Sequence, residues 1–152
     1  MLRATGWLLL ALLCLTLGAC FEPVKDTHPN QVLTKRRALF RQFTRTLEPM
    51  GLVASGRRDF QREDFLASAQ DLEKLADKPW VYFPADGNYP PTHARPSVWS
   101  QPAEFLQAQK NFQAAVHQLV LTAQTGNVDQ VAAAYQKMSD SCNSCHHNFR
   151  YN

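Results

Sequence analysis

No run of apolar residues in this 152-residue chain reaches the roughly 20 that a helix needs to cross a bilayer. The longest, Trp7 to Ala19, stops at about 13, which excludes a spanning anchor and fits the apolar segment of an export signal. Acid is missing from the whole N-terminus before Glu22, and Arg3 is the one basic residue ahead of the run, so residues 1–19 read as a signal peptide. Their removal takes away a single charge and lowers the net charge from +3 to +2. Only 19% of residues are charged, with no basic run long enough to argue for nucleic acid and no acidic tail that suggests disorder. Sustained period-two alternation is also missing, which argues against a sheet. What remains is 45% hydrophobic, enough for one core and too little chain for two ordinary domains.

Four cysteines in an exported chain would ordinarily suggest two disulfides. Here each has a separate explanation. Cys14 lies inside the apolar segment and leaves with it. Cys20 closes Leu17-Gly18-Ala19-Cys20, which resembles a lipobox, the string at which a bacterial lipoprotein is acylated on the cysteine and cut before it. The competing reading is an ordinary signal peptide cut after Ala19. Acylated Cys20 would hold the protein on the periplasmic side of a bacterial membrane; Phe21, where an aspartate favours retention at the inner membrane, leans the resemblance towards the outer one. The alternative is a soluble periplasmic protein.

Residues 20–30, with Pro23 and Pro29 and no periodicity, suit a tether, and residues 31–152 form the domain. Four stretches carry apolar stripes spaced by three and four. Leu33, Phe40, Phe43, Leu47 and Met50 make the first, with Gly51 as its expected stop. Phe65, Ala69, Leu72 and Leu75 or Ala76 make the second, ending before Pro79. Ser100 as N-cap and Pro102 in the first turn open the third, which carries Phe105, Ala108, Phe112, Ala115 and Leu119 as far as Gly126-Asn127. Val128, Val131, Tyr135, Met138, Cys142, Cys145 and Phe149 make the last, so both cysteines are expected to face the core. The pattern is an all-α chain folded as a four-helix bundle. Between the second and third helices, residues 77–100 hold five of the nine prolines and cannot be helical. Their aromatics, Trp80, Tyr82, Phe83, Tyr89 and Trp99, must pack on something; the segment serves either as a topological crossover or as packing at a cofactor's edge.

Cys142-Asn143-Ser144-Cys145-His146 is C-x-x-C-H, the attachment string of c-type haem. Cysteines three apart on a helix project to one side, where their sulfurs can form thioethers to the vinyl groups of one porphyrin, and the adjacent histidine can ligate its iron. A thioredoxin-like dithiol would need a βαβ context and a helix N-terminus. A zinc site would need a fourth ligand that is not close in sequence.

With that string at the end of a four-helix pattern, the sequence resembles the cytochrome c′ family from about Val32 to Arg150. Cys142-x-x-Cys145-His146-x-x-Phe149-Arg150 is similar to its closing motif, Ala94-Arg95-Pro96-x-x-Trp99 to part of its long loop, and Gly126-Asn127-Val128-Asp129 to its last turn. The resemblance implies an antiparallel bundle with one covalent haem c near one end, often paired as a homodimer through the first two helices. It also implies an arginine on the first helix with an apolar side chain four residues later over the vacant haem face, matching Arg36 and Phe40; Arg37 competes with Arg36. Arg150 matches the arginine beside the proximal histidine, His146. Phe149 reads as core packing.

A methionine on the first helix would complete a six-coordinate, electron-carrying haem, but position 40 is Phe. Met50 lies about 15 Å further along that helix, and Met138 sits about two turns before His146. His28 falls in the tether, His93 in the loop, His117 at a core boundary and His147 outward. The expected function is therefore binding or trapping of small diatomic gases, nitric oxide first and carbon monoxide with it, at a five-coordinate iron. The competing reading is electron transfer with redox partner proteins through a six-coordinate haem. A peroxidase has least support, since no distal histidine and arginine pair can be assigned.

Overall fold

The structure, a computed structural model, describes residues 25–151. Their elements are α1 (Val32–Ala54), α2 (Arg62–Leu75), a single 3₁₀ turn (Trp80–Tyr82), a short α3 (Ser97–Ser100), α4 (Pro102–Thr125) and α5 (Val128–Phe149), with no strand among the described residues. No described helix is long and apolar enough to cross a membrane.

Each stripe becomes a buried seam. Leu33, Phe43 and Met50 from α1, Phe65, Ala69 and Leu72 from α2, Phe112, Val116 and Leu119 from α4, and Val131 and Met138 from α5 are all less than a tenth exposed. The four long helices form a square in which α1 packs on α2 and α5, and α4 packs on the same two. Neighbours run antiparallel. Arg62, at the start of α2, donates to the carbonyls of Ala123 and Gly126 at the end of α4 (3.3 and 2.7 Å), satisfying acceptors that the helix end leaves free. Glu73, near the end of α2, meets His117 in the middle of α4 at 2.7 Å. That places His117 on an exposed flank, not at a core boundary.

Gly51 does not stop α1. The helix continues one turn further and ends where Gly56 takes φ +68°, with the Gly56 amide donating to the Val53 carbonyl and the Arg57 amide to the Leu52 carbonyl. Gly51 is instead a point of close approach: a Cβ there would lie 2.8 Å from the Tyr135 hydroxyl oxygen of α5. Ser100 is not the cap of the third long helix either. It completes α3, and Gln101 precedes Pro102 without a side-chain cap. At α5 the cap is stronger than the Gly-Asn break suggests, because Asn127 accepts from the Gln130 amide while the Gln130 side chain accepts from the Asn127 amide, a reciprocal capping box.

Residues 76–101 are not a crossover, since α2 and α4 are antiparallel neighbours. The segment folds over one end of the bundle and is tied to both chain-distant helices that meet there. Arg36 and Arg37 of α1 donate to the Tyr82 carbonyl, the Thr92 hydroxyl and the Pro91 carbonyl. The end of α5 is clipped through Arg95 amide to Phe149 carbonyl (2.9 Å) and Tyr151 amide to His93 carbonyl (2.8 Å). The segment expected to be a free tether is also tied down from Asp26 onward. The Asp26 carboxylate accepts from the Thr34 amide (2.7 Å), the Tyr89 hydroxyl (2.6 Å) and the His28 amide (3.2 Å), while His28 stacks on Tyr89 and meets Asp86 at 3.2 Å. Cys20 lies outside the described residues.

Candidate functional site

The last two turns of α5 place Cys142, Cys145, His146 and Phe149 along one flank, as the spacing of three and four requires. Both thiols are half-buried: Cys142 packs against the main core and Cys145 against the smaller cluster beneath the loop, as expected, and both also open onto a cavity. Cys142 touches Met138, sulfur to sulfur, at 3.9 Å. The cavity measures about 480 Å³, within the range of cofactor sites. α1 supplies one wall with Leu33, Arg36, Phe40 and Phe43; α4 adds Phe105 and Phe112; the long loop closes the end with Trp80, Phe83, His93 and Ala94. All six residues that the sequence singles out beside the signal region, Arg36, Phe40, Cys142, Cys145, His146 and Arg150, line this one cavity.

Phe40 is held edge-on by Phe43 (ring centroids 5.5 Å) and Trp80 (6.2 Å), which fixes its ring at the α1 wall. Arg36 is 5% exposed. Its guanidinium reaches the Thr92 hydroxyl at 2.7 Å and the Tyr82 carbonyl at 3.3 Å, and lies over the Phe83 ring at 4.2 Å. Arg37, half-buried, spends its side chain on the Pro91 carbonyl at 2.6 Å. Arg150 remains exposed at the rim, its backbone bridged to Ala94.

Electrostatics at the wall follow from burial and from a surplus of cations. Burial, then the neighbouring Cys145, push the Cys142 thiol up to about 11, and burial also raises Cys145. Both are thiols at neutral pH. Partial desolvation and then the positive charge of Arg150 lower the His146 pKa, leaving a neutral imidazole with a lone pair to offer. Burial lowers the Arg36 pKa, with Tyr89 opposing and Arg37 reinforcing, though an arginine stays charged. No carboxylate lines the cavity. Outside the cavity Asp26 also favours the Arg36 charge, but no carboxylate faces it within the cavity, so an anionic substituent at Arg36 and an apolar, flat body between Phe40 and the cysteines would suit this wall. Haem c, with propionates at one edge and vinyl groups at another, fits that donor set.

Trp80 and Phe83 take the second of the two roles the sequence offered for their segment, packing at the edge of the cavity, whereas sequence reasoning missed His93 at the rim and Tyr82 and Thr92 as acceptors for Arg36. The density of aromatics in residues 77–100 is a signal that the segment packs, but nothing in its spacing says against what.

A family profile described as Cytochrome C′ matches residues 31–150. A cytochrome c′ from Alcaligenes xylosoxydans xylosoxydans is 31% identical over 100 residues, covering 64% of this chain and 76% of that protein. One from Rubrivivax gelatinosus is 27% identical over 123 residues, covering 80% and 95%. Among solved structures, a nitric oxide complex of a variant cytochrome c′ from Alcaligenes xylosoxidans superposes with a TM-score of 0.77 at 26% identity, over 84% of this chain and 99% of that one. Matched over nearly its whole described length, and with the thiols, the imidazole and the cationic edge converging on one cavity, the chain belongs to the cytochrome c′ family, whose members carry covalently attached haem c.

Proposed function

We propose that this protein binds small diatomic gases, nitric oxide first, at a haem iron with one protein ligand, His146, and an open face beneath Phe40. The observation that carries the reading is the make-up of the α1 wall. Leu33, Phe40 and Phe43 face the cavity there, while Met50 and Met138 are buried in the bundle core and absent from its lining. Haem c supplies, when bound, an iron that coordinates diatomic gases. Cys142 and Cys145 would hold the porphyrin covalently, and His146 would present its neutral imidazole from α5. Phe40 excludes water from the opposite face and offers no hydrogen bond, which favours ligands that bind strongly without one over dioxygen, which gains from a donor. Arg36, with Arg150 at the rim, would pair with the propionates. The nitric oxide complex of a relative supports the ligand class.

A second reading, electron transfer through a six-coordinate haem, has one observation in its favour: His93 also lines the cavity. The visible spectrum of the ferrous protein separates the two. A high-spin spectrum that shifts on adding carbon monoxide or nitric oxide, with faster ligand entry in Phe40→Ala, is expected. A low-spin, six-coordinate ferrous spectrum at neutral pH, converted to high spin by His93→Ala, would replace the first reading by the second.

The site is proposed to stand on the periplasmic side of a bacterial membrane, held by acylated Cys20. Fractionation with membranes, lost in Cys20→Ser, is expected. A mature N-terminus at Cys20 carrying no acyl mass would overturn the anchor.

A further inference from the structure

We infer that the cavity mouth is a docking surface for an acidic one-electron donor protein, read by a row of arginines on the exposed flank of α1. The inference rests on the cavity holding haem c, as proposed above. From Val32 to Leu47 the helix carries Lys35, Arg36, Arg37, Arg41 and Arg45 and no acid; Glu48 is the first. Arg37, Arg41 and Arg45 recur every fourth residue and so stand in one row, an arrangement that costs helix stability by repulsion and therefore needs another reason. Arg37 and Arg41 also line the cavity, so the row runs along its mouth. Arg41 and Arg45 are exposed, and among the described residues neither is engaged by a carboxylate.

The propionates of haem do not exhaust this charge. Arg36 is the buried partner for one, and Arg150 stands at the rim for the other, leaving Arg41 and Arg45 in excess beside a wall that holds no Asp or Glu. The net charge of the whole chain is only +3, so the row is a local field at the mouth and not a reflection of overall charge. Acidic side chains on a partner complement it, and docking there brings the partner against the edge of the haem. The chemistry also calls for such a partner, because carbon monoxide binds ferrous haem. A donor of this class, a flavin or iron–sulfur protein, loses one electron and the ferric haem is reduced to ferrous; no bond breaks and no proton must move.

The test follows reduction of the ferric holoprotein by stopped flow, with reduced flavodoxin as the acidic donor and a neutral hydroquinone as the comparison. Wild type should lose about ten-fold or more in its flavodoxin rate as the Debye length shrinks from about 30 Å to about 8 Å. Arg41→Glu with Arg45→Glu should lower the low-salt rate by about ten-fold and flatten the salt dependence. Arg41→Gln with Arg45→Gln should give a smaller loss in the same direction. Lys110→Glu with Lys137→Glu, exposed on α4 and α5, makes the same change in net charge and should move the rate less than about two-fold. The hydroquinone rate, which carries any change these substitutions make in the haem's own potential, should move by much less than the flavodoxin rate and lose no salt dependence.

An equal loss in the lysine pair, or a flavodoxin rate indifferent to salt, overturns the inference. So does an arginine pair that changes the sedimentation of the protein, which would assign the row to a second copy of the chain. Binding to phosphatidylglycerol vesicles that the arginine pair abolishes, with the flavodoxin rate unmoved, would assign it to a membrane and also overturns it. Carbon monoxide binding is recorded on each ferrous variant: failure there defeats the gas-binding reading, while the salt dependence alone decides the docking surface.

Discussion

Replacing Arg36 by Met keeps the unbranched apolar stem of a side chain that is 5% exposed and removes its guanidinium, with the charge, donors and packing that group supplies. The Thr92 hydroxyl and the Tyr82 carbonyl lose bonds of 2.7 and 3.3 Å from a charged group, each worth about 1–2 kcal/mol once desolvation is counted. The guanidinium face over Phe83 at 4.2 Å adds about 1 kcal/mol. Against these stands relief from that part of the cation's burial cost which its hydrogen-bond partners, and in the holoprotein the propionate proposed for it, leave uncompensated. The net expectation is a loss of about 2–3 kcal/mol, or about 10 °C in Tm for a domain of this size. Arg37→Met, one bond from a half-buried side chain to the Pro91 carbonyl, should cost about 1 kcal/mol or less. Thermal unfolding of the holoprotein by circular dichroism reads both values. Amide exchange should show residues 82–92 opening faster in Arg36→Met than in wild type. If Arg37→Met costs as much as Arg36→Met, burial is not what separates the two arginines, and the assignment of Arg36 as the propionate partner fails with it.

Haem should stay with the polypeptide in denaturing gels, and Cys142→Ala or Cys145→Ala should weaken that attachment; a folded wild-type protein that matures without covalent haem would contradict the site. Gly51→Ala should be destabilising by about 1 kcal/mol, because the new Cβ meets the Tyr135 hydroxyl 2.8 Å away. In a Tyr135→Phe background the same change should instead stabilise by about 0.5–1 kcal/mol, the ordinary helix advantage of Ala over Gly, and denaturant titration of the four proteins reads the sign. Burial raises the Asp26 pKa, but the hydrogen bonds from Tyr89, Thr34 and His28 outweigh it and hold the carboxyl well below the usual carboxylate range. Its contribution is therefore present above the unfolded value of about 3.9 and fades as pH falls below it. Asp26→Asn should cost about 1 kcal/mol at pH 7, discounted for screening, and the gap to wild type should close in acid; a gap that persists unchanged at low pH refutes it.

The helices are legible because each buries one stripe, and a stripe is a local pattern: the 3–4 spacing from Val128 to Phe149 specifies both the face of α5 and the convergence of its two thiols. C-x-x-C-H is legible for the same reason. Gly51 is not, since a glycine in a helical run looks like a break unless the partner helix is known, and its cause, Tyr135, is more than eighty residues away. Arg36 and Phe40 are readable as sharing one face of α1, whereas the groups that hold Arg36, Tyr82 and Thr92, belong to an aperiodic loop whose pairing no spacing encodes. Asp26 caps α1 from eight residues before Thr34, beyond the reach of any capping motif. Ser100 shows the converse: a good capping residue in the right place, bypassed because Pro96 lets the chain wind one earlier turn.

The clip between residues 93–95 and 149–151 makes closure of the cavity end depend on the last turn of α5. α5 follows α1, α2 and α4 along the chain and carries both thiols, and the loop that closes the cavity end is pinned by backbone bonds to its final turn and the residues just after it. That clip keeps the end of α5 from fraying, so the histidine proposed to ligate iron is steadied by the bonds that close that end of the cavity.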